Sequence, residues 1–354
     1  MLDFLSFCKR KHIFNILFFG FVIVMLYVSI KDCDFSSIAS SIGTLKIQYL
    51  ALAILMMIFQ VYLEGYSIKL LAKKYDIRIG HGKSFIYSSV DLYFSQITPF
   101  AIGGQAMLVY YMAKDNISVS KSTIISLLYS VLNKIALVII GLLAFILLNY
   151  SLHLSDDWSF TALLILGIVT NVIIISFCIL CMFARRPFYM IACKFIKALG
   201  RKGVIKEPEY KIVKLTRTLA EYKKARTFIK EHLFMIIRVL FLCLIKRIVT
   251  FSIVFFVYKS LSLNGVSFYR IILIQSVLAL ISDSFIIPGG MLAFESCYAV
   301  LYSQVFPADL TSISMLLTRL ASYYLLMLFT GIITLASKFS YKKKNKEVLI
   351  NGSS

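Results

Sequence analysis

Histidine, tryptophan, proline and acidic residues are all scarce in this chain. It has 4 His, 1 Trp and 5 Pro, and 17 Asp plus Glu against 38 Lys plus Arg over 354 residues. His12, His81, His153 and His232 all fall in polar flanks, and neither H-E-x-x-H nor G-x-S-x-G occurs. Zincin-type hydrolysis and nucleophile-elbow acyl transfer therefore lack their residues. Gly82-Lys83-Ser84 resembles the end of a phosphate-binding loop, but position 77, where the upstream glycine belongs, is Ile. The seven cysteines (8, 33, 178, 181, 193, 243 and 297) form no disulfide framework, and Cys178 and Cys181 share an apolar run with no histidine nearby. The reading is of a chain with no catalytic residue, no metal site and no cofactor.

What the chain has in abundance is apolar side chains. Hydrophobic residues make up 60%, charged residues 16%, and mean hydropathy is +0.85. That is too apolar for one soluble core and reads as a polytopic membrane protein. Lys9-Arg10-Lys11 precedes an apolar run over 13–30 that is too long for a signal peptide and lacks a small-residue cleavage site, so it reads as a first span. Further full-length runs lie near 47–68, 122–148, 158–184, 234–258 and 312–337, giving six expected transmembrane helices.

Two apolar stretches are interrupted. Thr98-Pro99-Phe100-Ala101-Ile102-Gly103-Gly104-Gln105 splits one into residues 84–97 and 103–113, each too short as a helix to cross a hydrocarbon core of about 30 Å. Ile286-Ile287-Pro288-Gly289-Gly290 interrupts the run between 267 and 306 in the same way. Paired Pro/Gly-broken segments point to a transporter-type site at the bilayer midplane, and both are expected to be re-entrant hairpins.

Charge placement tests the threading. With the N-terminus inside, the inside segments hold 29 Lys and Arg and the outside segments 4, whereas a single crossing by 84–113 would put the basic segment 185–232 outside. Both termini are therefore expected in the cytoplasm, in the cytoplasmic membrane. The net charge of +21 reads as this topology signal plus attraction to anionic lipid, not as nucleic-acid binding. The segment 185–232 reads as amphipathic helices on the inner leaflet, and the basic tail 339–354 as disordered.

Each half then runs span, span, broken segment, span. Gly103 precedes Asn133 by 30 residues, as Gly289 precedes Arg319. Residues 1–149 and 150–338 are expected to be an inverted-topology repeat of all-α membrane architecture.

Charges at membrane depth are functional candidates: Glu64, Asp91, Lys134, Arg238, Lys246, Arg247, Asp283, Glu295 and Arg319. Glu64 and Arg238 lie near run ends and are expected to snorkel. Lys134 and Arg319 sit mid-span, and Asp91, Asp283 and Glu295 belong to the broken segments. Their alternatives are pairing between helices and ligand contact. If Gly103-Gly104 and Gly289-Gly290 open the second half-helices, their free N–H groups and dipole ends would suit an anion such as a phosphate. Tyr110-Tyr111 and Tyr323-Tyr324 are further hydroxyls within reach of a headgroup.

The run Gln96 to Gln105 followed by Tyr110-Tyr111 resembles the signature of the lysylphosphatidylglycerol synthase transmembrane family, a flippase-like domain. Pro288-Gly289-Gly290, Glu295 and Arg319 to Tyr323-Tyr324 resemble its second signature, and Leu292 departs from the family's usual glycine. The resemblance implies a domain that moves or binds lipids, in members with a soluble synthase domain the aminoacylated phosphatidylglycerols that give resistance to cationic peptides. It implies a lipid site at Asp91, Gln96, Thr98, Pro99, Gly103, Gly104, Gln105, Tyr111, Lys134, Asp283, Pro288, Gly289, Gly290, Glu295, Arg319 and Tyr323. The soluble synthase domain is not expected in these 354 residues. The expected function is binding and translocation of a phosphate-bearing phospholipid. The alternatives are a non-transporting subunit that presents lipid to a separate synthase or glycosyltransferase, and phosphatidylglycerol lysyltransferase itself.

Overall fold

The computed structural model describes residues 45–98, 101–152, 158–183, 232–285, 288–290 and 293–351. The expected span 13–30, the basic segment 185–231, Pro99 and Leu292 lie outside the described residues. Within them every regular element is a helix: α1 (Ile47–Lys73), α2 (His81–Ile97), α3 (Ile102–Lys114), α4 (Val119–Leu152), α5 (Trp158–Phe183), α6 (Leu233–Ser260), α7 (Phe268–Ser282), α8 (Ala293–Tyr302), α9 (Ala308–Arg319) and α10 (Leu325–Asn351). A 3₁₀ turn at Pro288–Gly290 lies between α7 and α8, and a π-helical turn at Leu320–Tyr324 joins α9 to α10. Helices are what lipid demands, because each satisfies its backbone groups internally.

Among the described residues, five helices are long and apolar enough to cross a membrane: Ile47–Lys73, Val119–Leu148, Thr161–Leu180, Leu233–Ser260 and Ala308–Phe339. They coincide with five of the six runs read from the sequence. Leu143, Ile146 and Leu147 of α4 and Val169, Ile173 and Phe177 of α5 are exposed apolar side chains, as a lipid-facing surface requires. The tail differs from expectation, since helix α10 continues through its lysines to Asn351. A packed apolar helix nucleates its own extension, and lysine and glutamate propagate it readily.

Helices α1 and α6 pack antiparallel at the centre. Lys246 bonds Glu64, Thr250 donates to the Gln60 side chain at 2.5 Å, and the Lys46 N–H donates to the Ser260 carbonyl at 2.9 Å. Gly289 follows Gly103 by 186 positions, and the same step takes Gln60 to Lys246 and Glu64 to Thr250. The two side-chain bonds between α1 and α6 are thus exchanged by that step.

The broken segments fold back on themselves. At the outer ends of α2 and α3, Lys83 and Tyr87 both reach the Asp115 carboxylate at 2.6 Å, and Lys121 at the start of α4 reaches the Tyr75 carbonyl at 3.2 Å. Arg270 and Gln304 meet at 3.2 Å, closing the outer ends of α7 and α8. Helix α2 starts where α1 ends and α7 where α6 ends, so the two hairpins approach from opposite ends of the bundle. Their helices of 17, 13, 15 and 10 residues reach only about 15 to 25 Å at 1.5 Å per residue. Each hairpin packs into its own apolar cluster. One gathers α2 and α3 with Ile68, Ile125 and Val239, and the other α7 and α8 with Leu137, Phe251 and Val254. Small residues permit the closest approaches: a β-carbon on Gly65 would lie 2.6 Å from the Ser84 carbonyl oxygen, and one on Gly167 2.8 Å from that of Leu280.

Candidate functional site

The first break is closed by side chains of α2. Thr98 is extended (φ −119°, ψ 144°) and Ala101 takes the left-handed conformation (φ 55°), which reverses the chain within four residues. The Thr98 hydroxyl donates to the Phe94 carbonyl at 2.7 Å and accepts the Gly103 N–H at 3.0 Å, while Ser95 donates to the Ala101 carbonyl at 3.2 Å. The Gly103 N–H, read from sequence as free for an anion, is therefore capped: a threonine hydroxyl five residues back reaches it first. Gly104 lies directly on the Asp91 backbone and carboxylate, with no room for a β-carbon. Gln105 donates to Ser130 of α4 at 2.7 Å, and Tyr111 reaches the Thr334 carbonyl at 3.5 Å.

At the second break Gly289 and Gly290 have φ of 68° and 59°, a region costly for residues with a β-carbon. They form a 3₁₀ turn with both glycines in the left-handed region, not the first turn of an α-helix that the sequence suggested. What Gly289 presents is its carbonyl, which accepts from Arg319 Nη1 at 2.9 Å, while Arg319 Nε donates to Glu295 Oε1 at 3.0 Å. The guanidinium carbon lies 3.8 Å from the centroid of the Phe294 ring. Arg319 is only 6% exposed, and Nη2, like Glu295 Oε2, is buried without a hydrogen-bond partner in the protein. The π-helical turn begins at the next residue, and such insertions in α-helices often mark functional positions.

Tyr323 of that turn joins the two breaks. Its ring lies against Gly289, leaving no space for a side chain there, and its hydroxyl donates to the Gln96 carbonyl of α2 at 2.9 Å. Gln96 also keeps a buried, unpartnered Oε1. The tips of both hairpins, Arg319 and Glu295 thus share one region.

Lys134 and Asp283 pair across α4 and α7, with 29% of the Asp283 side chain accessible. Sequence reasoning misplaced Glu64. It sits near the end of an apolar run, yet helix α1 continues to Lys73, so the carboxylate is too far from the end to snorkel. It is 1% exposed and bonded to Lys246, which also meets the Tyr129 hydroxyl at 3.0 Å. Arg238 is exposed, and Arg247 donates to the Asn133 carbonyl at 3.4 Å. Among the described residues no cluster of His, Cys, Asp and Glu could hold a metal ion.

A bundle with five membrane-length helices and two broken hairpins meeting at buried charges defines a multi-pass membrane protein. The chain belongs to the lysylphosphatidylglycerol synthase transmembrane family: the model of the lysylphosphatidylglycerol synthase TM region matches residues 13–329. No curated protein matches the chain.

Proposed function

We propose that this protein binds a phosphate-bearing phospholipid between its two broken hairpins and translocates it across the cytoplasmic membrane. In this reading the halves are inverted repeats, the hairpins are re-entrant, and rocking of the repeats alternates access to the site. The observation that carries the proposal is Arg319, a buried cation whose Nη2 has no partner beside a carboxylate oxygen in the same condition. Each unmatched polar group costs about 1–3 kcal/mol, which a ligand that pairs both would recover. A phosphate oxygen suits Nη2 and an ammonium suits Glu295 Oε2, so a zwitterionic or aminoacylated phospholipid matches both. Asp283, partly accessible beside Lys134, is a further partner for a cationic headgroup.

The test is a lipid-flip assay in vesicles with a panel of labelled phospholipids, run alongside thermal melting. Arg319→Gln weakens the contact to Glu295 and should melt at a lower temperature, yet where it is still folded it should lose at least tenfold in flip rate. Arg319→Lys should be impaired as well, because lysine lacks the planar fork that can hold Glu295, Gly289 and a phosphate at once. A well-folded Arg319→Gln protein with undiminished transport removes the residue from the site. Saturable lipid binding by the wild type without any flipping would instead favour a subunit that presents lipid to a separate enzyme.

A further inference from the structure

Arg247 is a membrane-depth cation that the site around Arg319 does not use. It occupies the middle of the 28-residue helix α6, about 15 Å from either edge of a hydrocarbon core of about 30 Å if the helix is centred there. That is too deep to snorkel. A cation held at such depth needs an anion beside it.

The other cations inside spans have one each: Lys134 pairs with Asp283, Lys246 with Glu64 and Arg319 with Glu295. Arg247 does not. Among the described residues it forms no ion pair, and its one hydrogen bond runs from Nη2 to the Asn133 carbonyl of α4 at 3.4 Å, the long limit for such a bond. Its Nε is buried without a partner, and so is Oδ1 of Asn133. The apolar run 13–30, outside the described residues, contains no acidic residue either.

Nε and Nη2 lie on one edge of the planar guanidinium, the edge that grips two oxygens of an oxyanion side by side. Both Arg247 and Asn133 are half-buried rather than sealed, which leaves a ligand an approach. The step of 30 residues from Gly289 to Arg319 takes Gly103 to Asn133. Where the second half carries its arginine the first carries an asparagine, and α6 brings a guanidinium to it. We infer that Arg247 and Asn133 form a second anion site that takes a phosphate, two of its oxygens on the Nε–Nη2 edge and an adjoining O–H donating to Asn133 Oδ1. That O–H belongs to a hydroxylated headgroup of an anionic phospholipid or to free hydrogen phosphate. A halide would leave Oδ1 unpaired. Arg319, with Glu295 beside it, suits a zwitterion, whereas Arg247, with no carboxylate, suits a net anion.

Binding to the purified full chain in detergent tests this with two probes, dihexanoyl phosphatidylglycerol counted by native mass spectrometry and radiolabelled inorganic phosphate counted by equilibrium dialysis. Neither assay reads lipid flip, and Arg319 is intact in every variant, so this inference and the lipid reading fail separately. Arg247→Gln should weaken binding of one ligand per chain by about tenfold, and Asn133→Ala should weaken the same ligand. Dependence on Arg247 seen with the lipid alone assigns a headgroup, and with inorganic phosphate alone the free ion. Because Arg247→Gln strands no carboxylate, its melting temperature without either probe should be no lower than that of the wild type. A lower one means that the guanidinium has lost a protein partner, and overturns the inference. Binding of both probes undiminished in Arg247→Gln overturns it too, as does equally Arg247-dependent binding of dihexanoylglycerol, which has no phosphate.

Discussion

Replacing Gly65 by alanine probes how tightly the first hairpin is held against the central helix. The new β-carbon would lie 2.6 Å from the Ser84 carbonyl oxygen, 2.9 Å from its carbon and 3.1 Å from the Ser88 hydroxyl. Ser88 can rotate, but the Ser84 atoms are backbone within α2 and cannot. Ordinary contact begins at 3.4 Å, so α1 would have to retreat by 0.8 Å, the difference from 2.6 Å. Retreat is blocked on the far side, where Gln60 and Glu64 are bonded to α6. Overpacking of this kind costs about 1–3 kcal/mol, and alanine's better helix propensity returns only about 1 kcal/mol. The net loss should be on the order of 1 kcal/mol. The control is Gly82→Ala, where nothing lies within 4 Å and no unusual φ is required. There the same substitution should be neutral or stabilising by up to about 1 kcal/mol. Thermal melting of both variants in one detergent reads the comparison. A Gly65→Ala protein as stable as Gly82→Ala would refute the close contact between α1 and α2.

The buried pairs should rank by exposure: Lys246→Met, which strands a carboxylate only 1% accessible, should cost about 3–5 kcal/mol. Lys83→Ala, from a pair whose lysine is 54% accessible, should cost less than about 1 kcal/mol in the same melting assay. Cysteines placed at Asp76 and Asn116 in a cysteine-free background should be labelled from one side of the membrane, and those at Ser262 and Asp309 from the other. Labelling of Asp76 and Asn116 from opposite sides would make α2 and α3 a crossing and end the hairpin reading. Tyr323→Phe removes the hydroxyl that meets Gln96 and should lower stability by about 0.5–1.5 kcal/mol while slowing lipid flip. Tyr324→Phe serves as the matched control for both readouts.

The helices were legible because lipid imposes a length and a composition that soluble cores do not. The breaks were legible because so few prolines and glycines interrupt the apolar runs that Thr98 to Gln105 and Pro288 to Gly290 stand out. The hairpin geometry was readable only as arithmetic on lengths and lysines. The contacts at Asp115, which bring the ends of α2 and α3 together, join residues 32 and 28 positions apart and carry no sequence mark. The chemistry at the breaks was less legible still. Glycine pairs suggest bare N–H groups, but whether a nearby hydroxyl caps them depends on how the chain turns at a residue such as Thr98. That turn is set by the left-handed conformation of Ala101, a residue type that gives no warning of it.

The misreading of Glu64 shows where periodicity stops being informative. An apolar run measures where side chains change character, whereas burial depends on where the helix ends and what packs beside it. Helix α1 passes beyond its apolar run into Lys73, and α6 brings Lys246 alongside, 182 positions away in the chain. The pattern of exchange between α1 and α6 offers a signal that sequence alone could have supplied. The 186-position step that relates the two glycine breaks also pairs Gln60 with Lys246 and Glu64 with Thr250. An acid at 64 thus faces a base at 246, while the exchanged positions, 60 and 250, hold a neutral amide and hydroxyl. If the halves are inverted copies, the contact was once the same on both sides, and charge has since been concentrated on one. The charged contact lies on the side of Asp91 and the first hairpin, and the neutral one leaves the second hairpin to Arg319 and Glu295.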